Sequence, residues 1–195
     1  GSFAFVHYSA IRQELHLATD AIGLRSIYYT IQGGLLIFAT ALRVLEAVPE
    51  IGKTLCTLGM AELSVFSFPL AEHTPYESLH VLREAQILTA SSVGSTLRAY
   101  KDWSQRVASD GSPEEAAARL HAVFEEAIRL RAGDDQRVYS FLSGGMDSRA
   151  IVATLIGLDR HVEALNFSAD ASQDQRYAQL LAAEAGDLCK LHCLA

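Results

Sequence analysis

Val138-Tyr139-Ser140-Phe141-Leu142, then Ser143-Gly144-Gly145-Met146-Asp147-Ser148, then Arg149-Ala150-Ile151-Val152-Ala153-Thr154-Leu155 is the stretch whose reading decides the fold. The first five residues make a short apolar run of buried-strand length, and the last seven repeat apolar residues at helical spacing. The six between them turn strand into helix. Gly144 and Gly145 lack a Cβ, so the backbone there can take positive φ and bring several N–H groups up to an oxyanion, where the following helix presents its positive end. Ser143 and Ser148 add hydroxyl donors. Asp147 is out of place beside a bare anion, because a carboxylate repels phosphate; a Mg2+ ion held partly by that carboxylate removes the conflict. Asp147 is therefore read as a metal ligand. Neither G-x-x-x-x-G-K-[ST] nor G-x-G-x-x-G occurs, which excludes the Walker loop and the dinucleotide fingerprint. The plain alternative is a Gly-Gly turn with a serine cap and no ligand.

Downstream, Val162-Glu163-Ala164-Leu165-Asn166-Phe167-Ser168 reads as a second strand and Gln173 to Ala185 as a second helix. Two strand-helix units in a row predict a parallel sheet with right-handed crossovers. Ligands of such sheets bind beyond the carboxyl ends of the strands, which puts Ser143 to Asp147 and Phe167-Ser168 on one rim. Asp174 opens the second helix, where a carboxylate either steadies the helix dipole or faces a cofactor. Upstream, Ser112-Pro113-Glu114-Glu115 starts a helix with a serine cap, a proline in the first turn and a capping box. Ala116, Leu120, Val123, Phe124, Ala127 and Ile128 form its apolar face and Gly133 ends it. In the first fifty residues, Gly33-Gly34 marks a hairpin between apolar strands around Ile27 to Ile31 and Leu35 to Ala39, part of a β meander. Asp20, Gly23 and Arg25 read as a structural turn.

The S-G-G-x-D-S loop after an apolar strand resembles the pyrophosphate loop of the ATP pyrophosphatases, which cleave ATP between its α and β phosphates. Several branches share it: asparagine synthetases, GMP synthetases, argininosuccinate synthetases and tRNA thiolation or lysidine enzymes. Gly1-Ser2-Phe3-Ala4-Phe5-Val6, the run from Leu15 through Asp20, Gly23 and Arg25 to Tyr29, and Leu36-Ile37-Phe38-Ala39-Thr40-Ala41-Leu42 choose among them. They resemble the glutaminase domain of asparagine synthetases (G-x-F-A-F, D-x-x-G-x-R-P-L-Y-Y, F-A-S-E-x-K-A-L), with departures at Ser26, Thr40 and Ala41. Thr74 to Ala85 and Tyr100-Lys101-Asp102-Trp103 resemble the bridge that follows, without its usual proline-glycine turn.

The resemblance implies an α/β protein. Residues 1–110 would be a partial glutaminase-like (Ntn-type) β meander plus bridge, and residues 111–195 the start of a parallel-sheet ATP-pyrophosphatase (adenine nucleotide α-hydrolase-like) domain. It implies ATP and Mg2+ as ligands. ATP and pyrophosphate would be held by Leu142, Ser143, Gly144, Gly145, Met146, Asp147 and Ser148, with adenine and ribose contacts near Leu142 and at Asn166, Phe167 and Ser168; Asp147 would be the catalytic, metal-facing residue. The implied reaction is ATP-dependent amide formation through an acyl-adenylate of aspartate or a related small-molecule carboxylate. Arg149 departs from the small residue usual after the D-S pair. It either adds a phosphate contact or marks an amide-forming branch such as a β-lactam synthetase or lasso-peptide cyclase. A relative that binds nucleotide or a partner without catalysis is the remaining alternative.

Glutaminases of this family use an amino-terminal cysteine, and none stands near residue 1, so no glutaminase activity is expected of this chain. The expected object is a fragment without the first half of the glutaminase domain or the end of the synthetase domain, working as a homodimer or with a complementary chain. Cys56, Cys189 and Cys193 are the only thiols, and Cys189, His192 and Cys193 do not make a standard zinc spacing. The odd cysteine count points to a reducing compartment, a cytoplasm. With 23 acidic against 16 basic residues and a net charge of -7, a nucleic-acid surface is not expected. Half of the 195 residues are apolar, enough for a core, with no run of membrane-spanning length.

Overall fold

The apolar residues of the first hundred positions alternate, and alternation builds sheets rather than helices. The computed structural model describes residues 1–104 and 111–194, and the chain divides into two units, Gly1–Val107 and Ala108–Ala195. The boundary expected after residue 110 lies outside the described residues.

The first unit runs β1 (Ala4–Ser9), β2 (Glu14–Thr19), β3 (Tyr28–Gln32), β4 (Leu35–Ala39), α1 (Leu42–Glu46), α2 (Thr57–Phe66), β5 (His80–Val81), β6 (Gln86–Ser91) and β7 (Gly94–Ala99). Two antiparallel sheets result, ordered β1-β2-β6-β7 and β4-β3-β5. Leu15 and Leu17 of β2 and Leu88 of β6 meet Tyr29, Leu36 and Phe38 of the other sheet around Ile27 and Leu82. The intervening residues of β3 and β4, Tyr28, Ile37 and Ala39, face the opposite way onto Leu42 and Leu45 of α1, with Ile51 and Leu79. The smaller sheet is thus covered on both faces. Gly33 and Gly34 both have positive φ (56° and 79°), as a two-residue hairpin between β3 and β4 requires.

The turn after β2 is built on one carboxylate. Asp20 is 1% exposed and accepts hydrogen bonds from the backbone N–H groups of Phe3 (3.3 Å), Ile22 (3.1 Å), Leu24 (3.2 Å) and Arg25 (3.1 Å). Gly23 takes φ +68° within it. Tyr100 Oη donates to Thr19 O (2.8 Å) and Trp103 Nε1 to Ala21 O (2.7 Å), so the two aromatics of the expected bridge clamp the residues on either side of Asp20.

The second unit runs α3 (Pro113–Ala132), β8 (Arg137–Phe141), α4 (Met146–Gly157), β9 (His161–Asn166), α5 (Gln173–Ala185), a 3-10 turn (Gly186–Leu188) and β10 (Cys189–Cys193). All three strands are parallel, in the order β10-β9-β8. Val138, Val162, Ala164 and Cys189 on one sheet face close on Ile128, Val152, Leu155 and Ala178 from the three helices. The start of α3 is as the sequence predicts. Ser112 Oγ accepts from Glu115 N–H (3.2 Å), the Glu115 carboxylate accepts from Ser112 N–H (3.0 Å), and Gly133 caps the end.

Three details differ from the expectations. Of the apolar face assigned to α3, only Phe124 and Ile128 pack into the core; Ala116, Leu120 and Val123 are exposed, because α3 meets the rest of the unit chiefly through α4, at the end of the face that holds Ile128. The second strand stops at Asn166, where the side chain bends back to hydrogen-bond and ends the ladder. Cys189 to Cys193, to which the sequence reading assigns no element, form a third strand.

Burial alone pushes the Asp20 carboxyl up, but the four backbone hydrogen bonds outweigh it and hold the pKa below the ordinary aspartate value. A carboxyl whose folded pKa is depressed adds stability above its unfolded pKa and loses it as pH falls through the folded value. Asp20→Asn is expected to lower the melting temperature at pH 7 and to flatten its decline at acid pH. Melting curves from pH 7 down to pH 2 check this, and parallel declines for the two proteins would contradict it.

Candidate active site

The carboxyl ends of β8 and β9 are tied together by the side chain of Asn166, which is 1% exposed. Its Nδ2 donates to Leu142 O (2.7 Å), and its Oδ1 accepts from Ser168 N–H (3.1 Å) and Ser168 Oγ. Leu142 N–H also donates to Leu165 O (2.9 Å), and Leu142 itself is fully buried. The rim thus starts from a rigid edge.

From that edge the loop closes on itself. Ser143 N–H donates to Ser148 Oγ (3.1 Å), the two hydroxyls lie 2.9 Å apart, and Gly145 N–H donates to Ser143 Oγ (3.3 Å). Ser148 Oγ also lies within bonding reach of Ser143 O (3.1 Å) and Gly145 O (3.2 Å). Both serines therefore shape the loop before any ligand arrives. Gly144 is buried against the start of α5, and a Cβ there would overlap the Cα and carboxylate of Asp174.

The first turn of α4 is open. Ser112 caps α3 and Ser172 caps α5 through their hydroxyls, whereas Gly145 caps α4 with no side-chain hydrogen bond. Helix geometry leaves the N–H groups of Met146, Asp147 and Ser148 without intrahelical partners, and they point outward at the loop. Met146 and Asp147 are exposed. Beside the loop lies a cavity of ≈ 270 Å³ bounded by Leu142, Ser143, Asn166, Phe167, Ser168 and Asp174. Five of the ten expected site residues line it, and Gly144 to Ser148 form the adjoining loop and helix start. Volume alone does not select this place. A cavity of ≈ 510 Å³ along α3 and β8 is larger, but its walls include Phe124, Ile128, Val138 and Ile151, and no helix start converges on it.

Asp174 and Arg149, left open by the sequence, both lie here. Asp174 sits in the first turn of α5 with its backbone against Gly144. Arg149 Nε donates to Gly145 O (3.3 Å), and its guanidinium carbon stands 5.0 Å from the ring centre of Tyr177 on α5. Position 177 carries no sequence signal beyond being one turn past Gln173.

The Cys189, His192, Cys193 trio does not converge. Cys189 and Leu191 enter the core on one face of β10, and His192 turns to the other, with Nε2 2.6 Å from Glu163 Oε2. That hydrogen bond holds the Glu163 carboxyl below its usual range against the effect of burial. Burial, reinforced by Glu163, pushes the Cys189 thiol up, away from thiolate chemistry. Among the described residues no group of three or more His, Cys, Asp or Glu side chains could hold a metal ion by itself, and no helix is long and apolar enough to cross a membrane.

Two mutants probe the geometry. Asn166→Leu is expected to cost about 1–3 kcal/mol, because it leaves the buried Leu142 carbonyl without its partner; chemical denaturation measures this. Gly144→Ala should force the loop off Asp174, visible as shifted amide resonances at residues 143–148 and 174. Unchanged resonances would contradict the contact.

Known proteins match both halves of the chain. The glutamine amidotransferase domain model matches residues 1–101 and the asparagine synthase model residues 119–187. Asparagine synthetase [glutamine-hydrolyzing] 3 of Bacillus subtilis is 28% identical over 195 residues, 96% of this chain and 31% of that protein. Amidase chyE of Penicillium rubens is 28% identical over 164 residues, covering 82% of this chain and 24% of that protein. Amidase chry2 of Gibberella zeae is 28% identical over 155 residues, covering 77% and 22%. The chain thus spans under a third of the length of these relatives. With a glutamine amidotransferase match over its first unit running into an asparagine synthase match over its second, the chain belongs to the glutamine amidotransferase domain family and is asparagine synthase-related.

Proposed function

We propose that this chain carries the ATP site of an ATP-dependent carbon-nitrogen ligase that forms amide bonds through an acyl-adenylate. The observation that carries the reading is the start of α4: a helix N-terminus with no side-chain cap, beneath a glycine with no room for a Cβ, beside a cavity of ≈ 270 Å³ at the carboxyl ends of β8 and β9. The asparagine synthase match over residues 119–187 and the Bacillus relative's name support the reaction class.

In this reading adenine and ribose lie by Leu142 and Asn166 to Ser168, and the phosphates lie over Ser143 to Ser148. A substrate carboxylate oxygen attacks the α-phosphorus, the bond to the β-phosphate oxygen breaks, and pyrophosphate leaves. An amine nitrogen then attacks the acyl carbon, loses its proton, and AMP leaves with the bonding pair. The N–H groups of Met146 to Ser148 and the Ser143 hydroxyl stabilise the charge that gathers on the departing pyrophosphate, already aimed where it develops. The single carboxylate of Asp147 suits Mg2+, which is commonly held by one or two carboxylates together with phosphate oxygens and would neutralise part of that charge. The acidic net charge suits a small-molecule carboxylate better than a nucleic acid, in a cytoplasmic enzyme that is a homodimer or completed by further segments.

One observation favours a second reading, an amide-forming enzyme with a substrate other than aspartate: Arg149 stands after the D-S pair and is engaged with α5, and two relatives are named amidases. Exchange of labelled pyrophosphate into ATP tests both. In a complete protein, exchange is expected only with Mg2+ and a carboxylate, and the carboxylate that supports exchange names the substrate. Asp147→Ala should lower exchange about 100- to 1,000-fold, the scale set by loss of a major charge-stabilising group, without changing the melting temperature. Retained exchange in that mutant contradicts the assignment, and nucleotide binding without any exchange favours a non-catalytic relative.

A further inference from the structure

The stack of Arg149 on Tyr177 joins two helix starts that meet at the loop. Arg149 is the fourth residue of α4 and Tyr177 the fifth of α5. The Arg149 guanidinium carbon is 5.0 Å from the Tyr177 ring centre, within cation–π range. Its Nε simultaneously donates to Gly145 O (3.3 Å), a carbonyl that also accepts from Arg149 N–H (3.4 Å). On the α5 side, Gln173 Nε2 reaches Tyr177 Oη (3.4 Å) across one helical turn, and Asp174, beside Gln173, presses on Gly144.

These contacts form two links between the loop and α5: Gly144 to Asp174 on one side, and Gly145 to Arg149 to the Tyr177 ring on the other. Gly144 has no side chain with which to hold α5, and its contact with Asp174 is a packing contact. Tyr177 therefore supplies the directional half of the attachment. Arg149 is half-buried and its head is already engaged, so the geometry favours a strut over a group waiting for a phosphate.

We propose that Arg149 and Tyr177 are positioning residues that clamp the start of α5 to the pyrophosphate loop and so hold the loop's N–H groups in binding register. The inference rests on the loop's assignment as a nucleotide site. A backbone cradle binds well only when its donors are held in place by a supporting shell. In this chain that shell includes an arginine where a small residue would leave the two helices joined by packing alone.

The test compares Arg149→Ala, Tyr177→Leu, the double mutant and Tyr177→Phe with the full wild-type chain. The first readout is hydrogen exchange without ligand at the hydrogen-bonded amides of Ser143, Gly145 and Arg149, which reports on the clamp whether or not nucleotide binds. Both single mutants are expected to speed exchange there, with β9 unchanged, and Tyr177→Phe, which keeps the ring, is expected to match wild type. The second readout is the dissociation constant for Mg-ATP. Each single mutant should weaken binding roughly two- to fivefold, the scale of a partly exposed cation–π contact, and the double mutant no further, because both break one link. Tyr177→Leu binding like wild type while Arg149→Ala loses affinity would overturn the clamp in favour of a direct phosphate contact. Unchanged exchange at Ser143, Gly145 and Arg149 in both single mutants would overturn it outright. Wild type failing to bind Mg-ATP, with the exchange pattern as expected, would overturn the functional assignment and leave the clamp standing.

Discussion

The buried amide of Asn166 fixes the distance between the ends of β8 and β9, and the rest of the second unit's chemistry hangs from that link. A side-chain amide offers both donors and an acceptor, so one residue can tie the carbonyl of Leu142 to the N–H and hydroxyl of Ser168. With the strand ends held, the chain leaving β8 has only four residues, Leu142 to Gly145, in which to reverse into α4. The glycines make that turn possible, and the two serines take up hydrogen-bonding groups that a tight loop would otherwise leave unpaired. The outcome is a helix start whose own N–H groups remain available, next to two helices whose starts are closed by serine caps.

Much of this is local and so is legible in the sequence. A capping box is a four-residue pattern, and Ser112 and Glu115 form it as written. The second helix runs from Gln173 to Ala185 as its apolar spacing predicts, and Gly33-Gly34 turns the hairpin. Illegible features depend on partners far along the chain. Asn166 reads as one polar residue at a strand's end, and nothing near it says that its amide reaches back 24 positions. Leu120 and Val123 have helical spacing as good as that of Ile128, but which of them is covered depends on where α4 meets the helix. Cys189-Lys190-Leu191-His192-Cys193 alternates as an edge strand should, yet thiols and a histidine draw the eye toward metal chemistry. The strand's alternation in fact sends His192 to the opposite face from the cysteines.

In the first unit the same lesson appears at Asp20. Its place in a turn is visible from the sequence, but the four converging backbone N–H groups and the clamping aromatics Tyr100 and Trp103, some 80 residues on, come only from the fold. The turn is structural work, tying the start of β1 to the end of β2 and the end of β7. The glutamine amidotransferase match covers this unit and the asparagine synthase match lies in the other.

The central claim is that nucleotide phosphate meets this protein at the start of α4. Titration of isotope-labelled protein with Mg-ATP, followed by amide resonances residue by residue, tests it most directly. The account predicts saturable shifts concentrated at residues 142–148, 166–168 and 174, with the largest at the N–H groups of Met146, Asp147 and Ser148. Shifts confined to other parts of the chain, or none at saturating Mg-ATP, would contradict it.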